Sequence, residues 1–166
     1  MRIILGFRVI GALGLALALP ALGQEIEAVS PARALELVKA SDTYLVDVRS
    51  VAEYVLIGHP EMAYNVPLTF WSEEEARFVA NPDFLKGLAA RFRKEATLVF
   101  ICRSGGRSLE AARMAQKEGY AKVYNLAEGF EGALDEKGYR TVGGWKNSLP
   151  YTYKVDPKLA YRQPKR

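Results

Sequence analysis

Leu98-Val99-Phe100-Ile101 runs without a charge into Cys102-Arg103-Ser104-Gly105-Gly106-Arg107-Ser108, and an amphipathic stretch, Leu109 to Glu118, follows. That order reads as a buried strand, a tight glycine-bearing loop and a helix. Such a junction carries a side chain to the end of a sheet, facing successive backbone N–H groups and a helix N-terminus. A thiol held there is favoured as thiolate, the form that attacks electrophiles. Cys102 is the only cysteine of the chain. A lone cysteine is often a small buried filler, but a filler needs neither the two glycines nor the two arginines of this loop. Cys102 is therefore read as a nucleophile.

Elements can be placed outward from the loop. Ser30 and Pro31 mark a helix start, as N-cap and first helical position, and Ala34, Leu35 and Val38 then fall at helical spacing. Thr43 to Val48 is a short buried strand. Ser50 and Glu53 have capping-box spacing and open a second helix. Asn65-Val66-Pro67 is a brief strand ended by proline. Glu73 to Lys94 is charged and helical in pattern, and the break at Asn81-Pro82 predicts two helices with a joint. Gly119 closes the helix that follows the cysteine loop, and Lys122 to Leu126 is a further strand. Strands alternating with helices imply a parallel α/β sheet covered on both faces. Ligands of such sheets bind beyond the carboxyl ends of the strands, where Cys102 falls.

The ends read differently from the middle. Arg2 and Arg8, the apolar run Val9 to Leu19 and the small residues of Ala21-Leu22-Gly23 form a secretory leader, residues 1–23, with cleavage after Gly23. An uncleaved membrane anchor is the rival reading, but the uncharged run from Val9 to Gln24 is shorter than the roughly 18 residues of a membrane span. With the leader cleaved, no stable membrane anchor is expected. Residues 24–153 are one domain, and 154–166 a basic, solvated tail. The expected location is periplasmic or secreted. The formal net charge of +4 includes the two leader arginines, and no clustered basic face suggests nucleic acid. An exported chain without a cysteine pair is stabilised by its core, not by disulfides. One cysteine and one histidine assemble no metal site, and no cofactor is called for.

Seven fragments, taken in order, resemble the rhodanese-like sulfurtransferase domain from about Ser30 to Tyr153. They are Leu45-Val46-Asp47-Val48-Arg49 with Glu53-Tyr54, Gly58-His59, Asn65-Val66-Pro67-Leu68, the cysteine loop, Asn125-Leu126-Ala127-Glu128-Gly129, Gly143-Gly144-Trp145 and Leu149-Pro150. The resemblance implies a roughly five-stranded domain that carries sulfane sulfur as a persulfide on Cys102, with a small sulfur-containing anion as donor and a thiol or cyanide as acceptor. A persulfide carrier docking on a partner sulfur-metabolising protein is the alternative. Gly58-His59-Pro60-Glu61-Met62-Ala63 departs from the family pattern, so that turn is expected to be reshaped. Residues 134–142 form an extra segment, expected at the rim of the site.

Cysteine-dependent phosphatases carry a similar loop, but with one more residue between cysteine and arginine than the four between Cys102 and Arg107. The shorter loop suits a single terminal sulfur atom, so sulfur transfer is preferred to phosphoryl transfer. Cys102 is then the catalytic residue and the N–H groups from Arg103 to Ser108 face the sulfur. Among Arg103, Ser104, Gly105, Gly106, Arg107 and Ser108, Arg103 is the candidate to hold the anionic donor, unless it is a plain solvent-facing charge. Gly105 and Gly106 serve positive φ or close backbone approach. Arg107 braces the loop, and Ser108 is read as a helix N-cap. Asp47 and Arg49 stand at a strand end on the rim. They act directly or as supports, or Arg49 simply pairs with Glu53 across one helical turn. His59 is read as a turn residue satisfied by a backbone bond, with a base near the cysteine as the other option. Trp71 and Trp145 are packing residues, Trp145 the nearer to the rim.

Overall fold

The computed structural model describes residues 25–163, so the leader and its cleavage point lie outside the described residues. The elements are β1 (Glu27–Val29), α1 (Pro31–Leu37), β2 (Thr43–Asp47), α2 (Val51–Leu56), β3 (Tyr64–Asn65), β4 (Thr69–Ser72) and β5 (Arg77–Ala80). After them come α3 (Phe84–Ala89), β6 (Thr97–Ile101), α4 (Gly106–Lys117), β7 (Lys122–Leu126), β8 (Ala133–Leu134) and β9 (Arg140–Val142). A five-stranded sheet in the order β1-β7-β6-β2-β3 forms the centre, and every pairing in it is parallel.

Both faces of the sheet are covered, which is why its strands are continuous apolar runs instead of alternating ones. Val46, Val48, Leu98 and Phe100 pack with Phe84 and Leu88 of α3 and Ala111, Ala112 and Ala115 of α4. Leu45, Val99 and Ile101, one residue out of phase, pack on the other side with Ala34 of α1, Tyr54 of α2 and Trp145. The pleat alone makes that division. The expected caps form. Ser30 accepts from the Arg33 amide at 3.2 Å, and Ser50 and Glu53 close a reciprocal capping box.

The first of the two helices expected between Glu73 and Lys94 is instead a hairpin. β4 and β5 pair antiparallel, Trp71 opposite Phe78 and Phe70 opposite Val79, and only α3 beyond Asn81-Pro82 is helical. The aromatic and β-branched residues Thr69, Phe70, Trp71, Phe78 and Val79 pair across a pleated surface better than they fit a helix, and the charged turn between them imitates a helical face. Residues 134–142 also fold largely as a hairpin, β8 against β9. β1, three residues long, was not visible in the sequence pattern.

Part of the segment expected to be a solvated tail, residues 158–161, is docked. The Asn65 amide on edge strand β3 donates to Leu159 O at 2.8 Å, Arg91 donates to the carbonyls of Lys158, Leu159 and Ala160, and Tyr161 meets Phe70. An edge strand leaves backbone groups unpaired, and this segment supplies one of the partners.

Candidate active site

β6 ends at Ile101 and α4 begins at Gly106, so Cys102 sits at the carboxyl edge of a central strand beside the free amides of a helix start. The residue is 1% exposed. The Gly105 amide donates to Sγ at 3.2 Å, and Ser108 Oγ lies 3.3 Å from it. Ser108 Oγ is also 3.0 Å from Gly105 O, so its one proton can serve the carbonyl or the sulfur.

Two of the expectations for this loop change. The N-cap of α4 is Gly105, not Ser108; Ser108 is buried inside the first turn, where its side chain reaches back to the sulfur. Of the two glycines only Gly105 is demanded. Its φ is +94°, and a Cβ there would collide with the carbonyl of Ala127, whereas one on Gly106 would meet nothing. Gly129, at φ +67°, matters as much, because a Cβ on it would stand 2.5 Å from the Arg103 carbonyl group and the Ser104 amide. The strand-to-turn segment after β7 therefore lies directly on the loop. It is fastened there by the amides of Phe130 and Glu131, which donate to Cys102 O at 2.7 Å and Arg103 O at 2.9 Å.

Arg107 braces the loop as expected, through a partner the sequence did not reveal. Its guanidinium grips Glu53 in a fork, 2.9 and 2.6 Å, and Glu53 also accepts from the Ser50 amide and hydroxyl. Burial alone would push the Glu53 carboxyl up. Arg107 and Ser50 overcome that and hold it at about 2, against the ordinary 4.5. A depressed carboxyl stabilises the fold above pH 4.5 and loses that contribution as pH falls toward 2. The stability gap between the native protein and Glu53→Gln is accordingly expected to be wide at pH 7 and to narrow by pH 3 in urea titrations. An equal gap at both would refute the pairing.

Asp47 and Arg49 are not on the rim, and Arg49 does not pair with Glu53. Both are fully buried and joined to each other, with the closest contact at 2.5 Å. Arg49 also donates to Gly58 O at 2.8 Å, and its guanidinium lies 4.2 Å from the centre of the Phe130 ring. They therefore support, from behind, the residue whose amide holds the Cys102 carbonyl. Asn65 completes this support by donating to Asp47 O and Arg49 O. His59 is stacked on Tyr54 with Nδ1 2.9 Å from Tyr54 O, and its backbone pairs with Thr152, so it is the turn residue expected. Trp145 is buried and donates to Pro150 O; it is not a rim residue. Trp71 is 56% exposed and does not pack in the core. Arg103 and Ser104 are exposed, and the Arg103 side chain has no ion pair among the described residues.

The arrangement defines a class first: a parallel α/β domain with one recessed thiol in a glycine loop between a central strand and a helix. The family model described as the rhodanese-like domain matches residues 30–136, and the chain belongs to that family. An uncharacterized protein of Rickettsia rickettsii is 31% identical over 119 residues, 70% of this chain and 89% of its own length. HIGH ARSENIC CONTENT 1, a mitochondrial protein of Arabidopsis thaliana, is 33% identical over 112 residues, 68% of this chain and 64% of its own. The crystal structure of Rv0390 from M. tuberculosis matches with a TM-score of 0.67 and 32% identity, covering 79% of this chain and all of that one.

Proposed function

We propose that the protein is a sulfurtransferase whose Cys102 accepts sulfane sulfur from thiosulfate or a related anion and passes it to a thiol or cyanide. The observation that carries the reading is the Cys102 sulfur, recessed at the strand end and held by the Gly105 N–H and the Ser108 hydroxyl. Donors aimed at that atom favour negative charge on it, as thiolate before the reaction and as persulfide after it.

The chemistry is a double displacement. The Cys102 thiolate attacks the outer sulfur of thiosulfate, a new S–S bond forms, the old one breaks, and sulfite leaves with the bonding pair. The acceptor then attacks the outer sulfur of the persulfide, and the pair of the broken bond returns to Cys102. Arg103, exposed and unpaired among the described residues, is the cation for the sulfonate end of the donor. Arg107 is committed to Glu53 and keeps the loop in shape. Export belongs to the same proposal, supported by the leader pattern of residues 1–23.

Protein recovered from an envelope extract and incubated with thiosulfate is expected to begin at Gln24 and to gain one sulfur atom on Cys102 by mass spectrometry. Cyanide should then release thiocyanate and restore the original mass. A chain that keeps Met1 would overturn cleavage after Gly23, recovery only from the cytoplasmic fraction would overturn export, and an unchanged mass would overturn thiosulfate as donor.

A further inference from the structure

The β4–β5 hairpin has two unlike faces. Phe70 and Val79 lie opposite each other, partly buried, and Phe70 rests on Tyr161. Trp71 and Phe78, the next pair on the opposite face, are 56% and 47% exposed and meet edge to face at 5.5 Å. The inward face seats the hairpin, so packing does not require the outer one to be aromatic.

That outer face stands beside the cysteine loop. The Arg107 guanidinium carbon is 5.7 Å from the centre of the Phe78 ring. At the tip, Glu73, Glu74 and Glu75 are all exposed; Glu75 pairs with Arg77, while Glu73 and Glu74 have no ion pair among the described residues. At the other end of the loop the Glu131 amide holds Arg103 O, and the β8–β9 segment that follows Glu131 exposes Leu134, Tyr139 and Val142. A recessed thiol is thus flanked by protruding apolar side chains and unpaired carboxylates. Thiosulfate, cyanide or a free small thiol has no use for such a border, whereas exposed aromatic surface beside a reactive group is the usual mark of a protein contact.

We propose that the Trp71–Phe78 face, together with Glu73 and Glu74, docks a protein acceptor presenting a cysteine flanked by lysine or arginine. The inference rests on the sulfurtransferase reading and assigns the acceptor class. The partner's thiolate attacks the outer sulfur of the Cys102 persulfide. The S–S bond breaks, its electron pair returns to Cys102, and the partner leaves as a persulfide without any further oxidant or reductant. With one cysteine in the chain, no internal thiol competes for the sulfur.

The test uses two synthetic peptides, each with one cysteine, flanked by lysine and leucine in one and by glutamate and leucine in the other. Cys102 is loaded with inorganic polysulfide, so that transfer is read whether or not thiosulfate is the donor. Single-turnover transfer to the lysine peptide is expected to be about tenfold faster than to the glutamate peptide, and to lose that advantage in high salt. The combined variant Trp71→Ser, Glu73→Gln, Glu74→Gln should abolish the preference while thiocyanate formation from thiosulfate and cyanide is unchanged. Equal rates for the two peptides, or a preference that survives in the variant, would overturn the docking surface. Preferential transfer by protein that thiosulfate fails to load supports the docking surface and removes only thiosulfate as donor.

Discussion

Cys102→Ser is expected to take up no sulfur and to release no thiocyanate above the protein-free blank, while remaining folded. The loss is total because the chain has no second cysteine to take over. A serine hydroxyl stays protonated at neutral pH unless a base withdraws its proton. The one histidine makes no hydrogen bond with residue 102 among the described residues, its ring being stacked on Tyr54 with Nδ1 at Tyr54 O. The fold survives for an equally local reason. A serine Oγ can accept from the same Gly105 amide that now donates to Sγ at 3.2 Å, and Ser108 stands ready as a second partner. A buried hydroxyl satisfied in this way costs about 1 kcal/mol or less. Cys102→Ala, which has no side-chain oxygen, should be equally inactive and separates chemistry from packing. Circular dichroism melts read alongside thiocyanate formation check both halves, and residual Cys102→Ser turnover above the blank would show that the sulfur is carried elsewhere.

What could be read from the sequence divides along a physical line. The position of the cysteine loop between a strand and a helix, the Ser30 and Ser50 caps and the strands β2, β6 and β7 are legible because their signals are residues a few positions apart. Within the loop the helix cap falls on Gly105 and not on Ser108, and the brief strand at Asn65 ends there, one residue earlier in register than its Asn65-Val66-Pro67 signal suggests. Contacts that join distant parts were not legible. Glu53 announces itself as a capping-box residue, but its grip on Arg107 spans 54 positions, and nothing in either neighbourhood predicts it. Gly129 reads as a turn glycine, and only the backbone of Arg103 and Ser104 pressing on it shows why a side chain is excluded. Arg49, an arginine at a strand end, looks like a rim charge until its burial is known. The hairpin failed for another reason. Glu73, Glu74, Glu75 and Arg77 supply charges at helical intervals, and this regularity masks the β-forming residues Phe70, Trp71, Phe78 and Val79 on either side, which show no alternation of their own. The segment whose fold its charges conceal also carries the exposed Trp71–Phe78 face.

The Asp47–Arg49 pair should be the most expensive single interaction to break. Both side chains are fully buried. Asp47 takes the Arg49 Nε at 2.9 and 3.0 Å, a terminal nitrogen at 2.5 Å and the Arg49 amide at 3.0 Å. Arg49→Met removes the guanidinium and leaves a carboxylate in the core with only the backbone amide, a situation that costs about 3–5 kcal/mol. Against the 5–15 kcal/mol that holds a typical domain together, such a loss is a large share. Arg49→Lys should rescue little, because an ammonium cannot reproduce the fork or lie flat over Phe130. The double variant Asp47→Leu, Arg49→Met removes both charges and is expected to regain much of the lost stability, since a buried ion pair roughly breaks even against apolar residues. It should not regain full turnover. With Phe130 no longer under a guanidinium, the amide that holds the Cys102 carbonyl is less firmly placed, and small displacements of a nucleophile are costly. Urea midpoints for the three variants and thiocyanate rates at matched folded fraction test this. A midpoint for Arg49→Met equal to that of the native protein would show that the pair is not what supports the loop from behind.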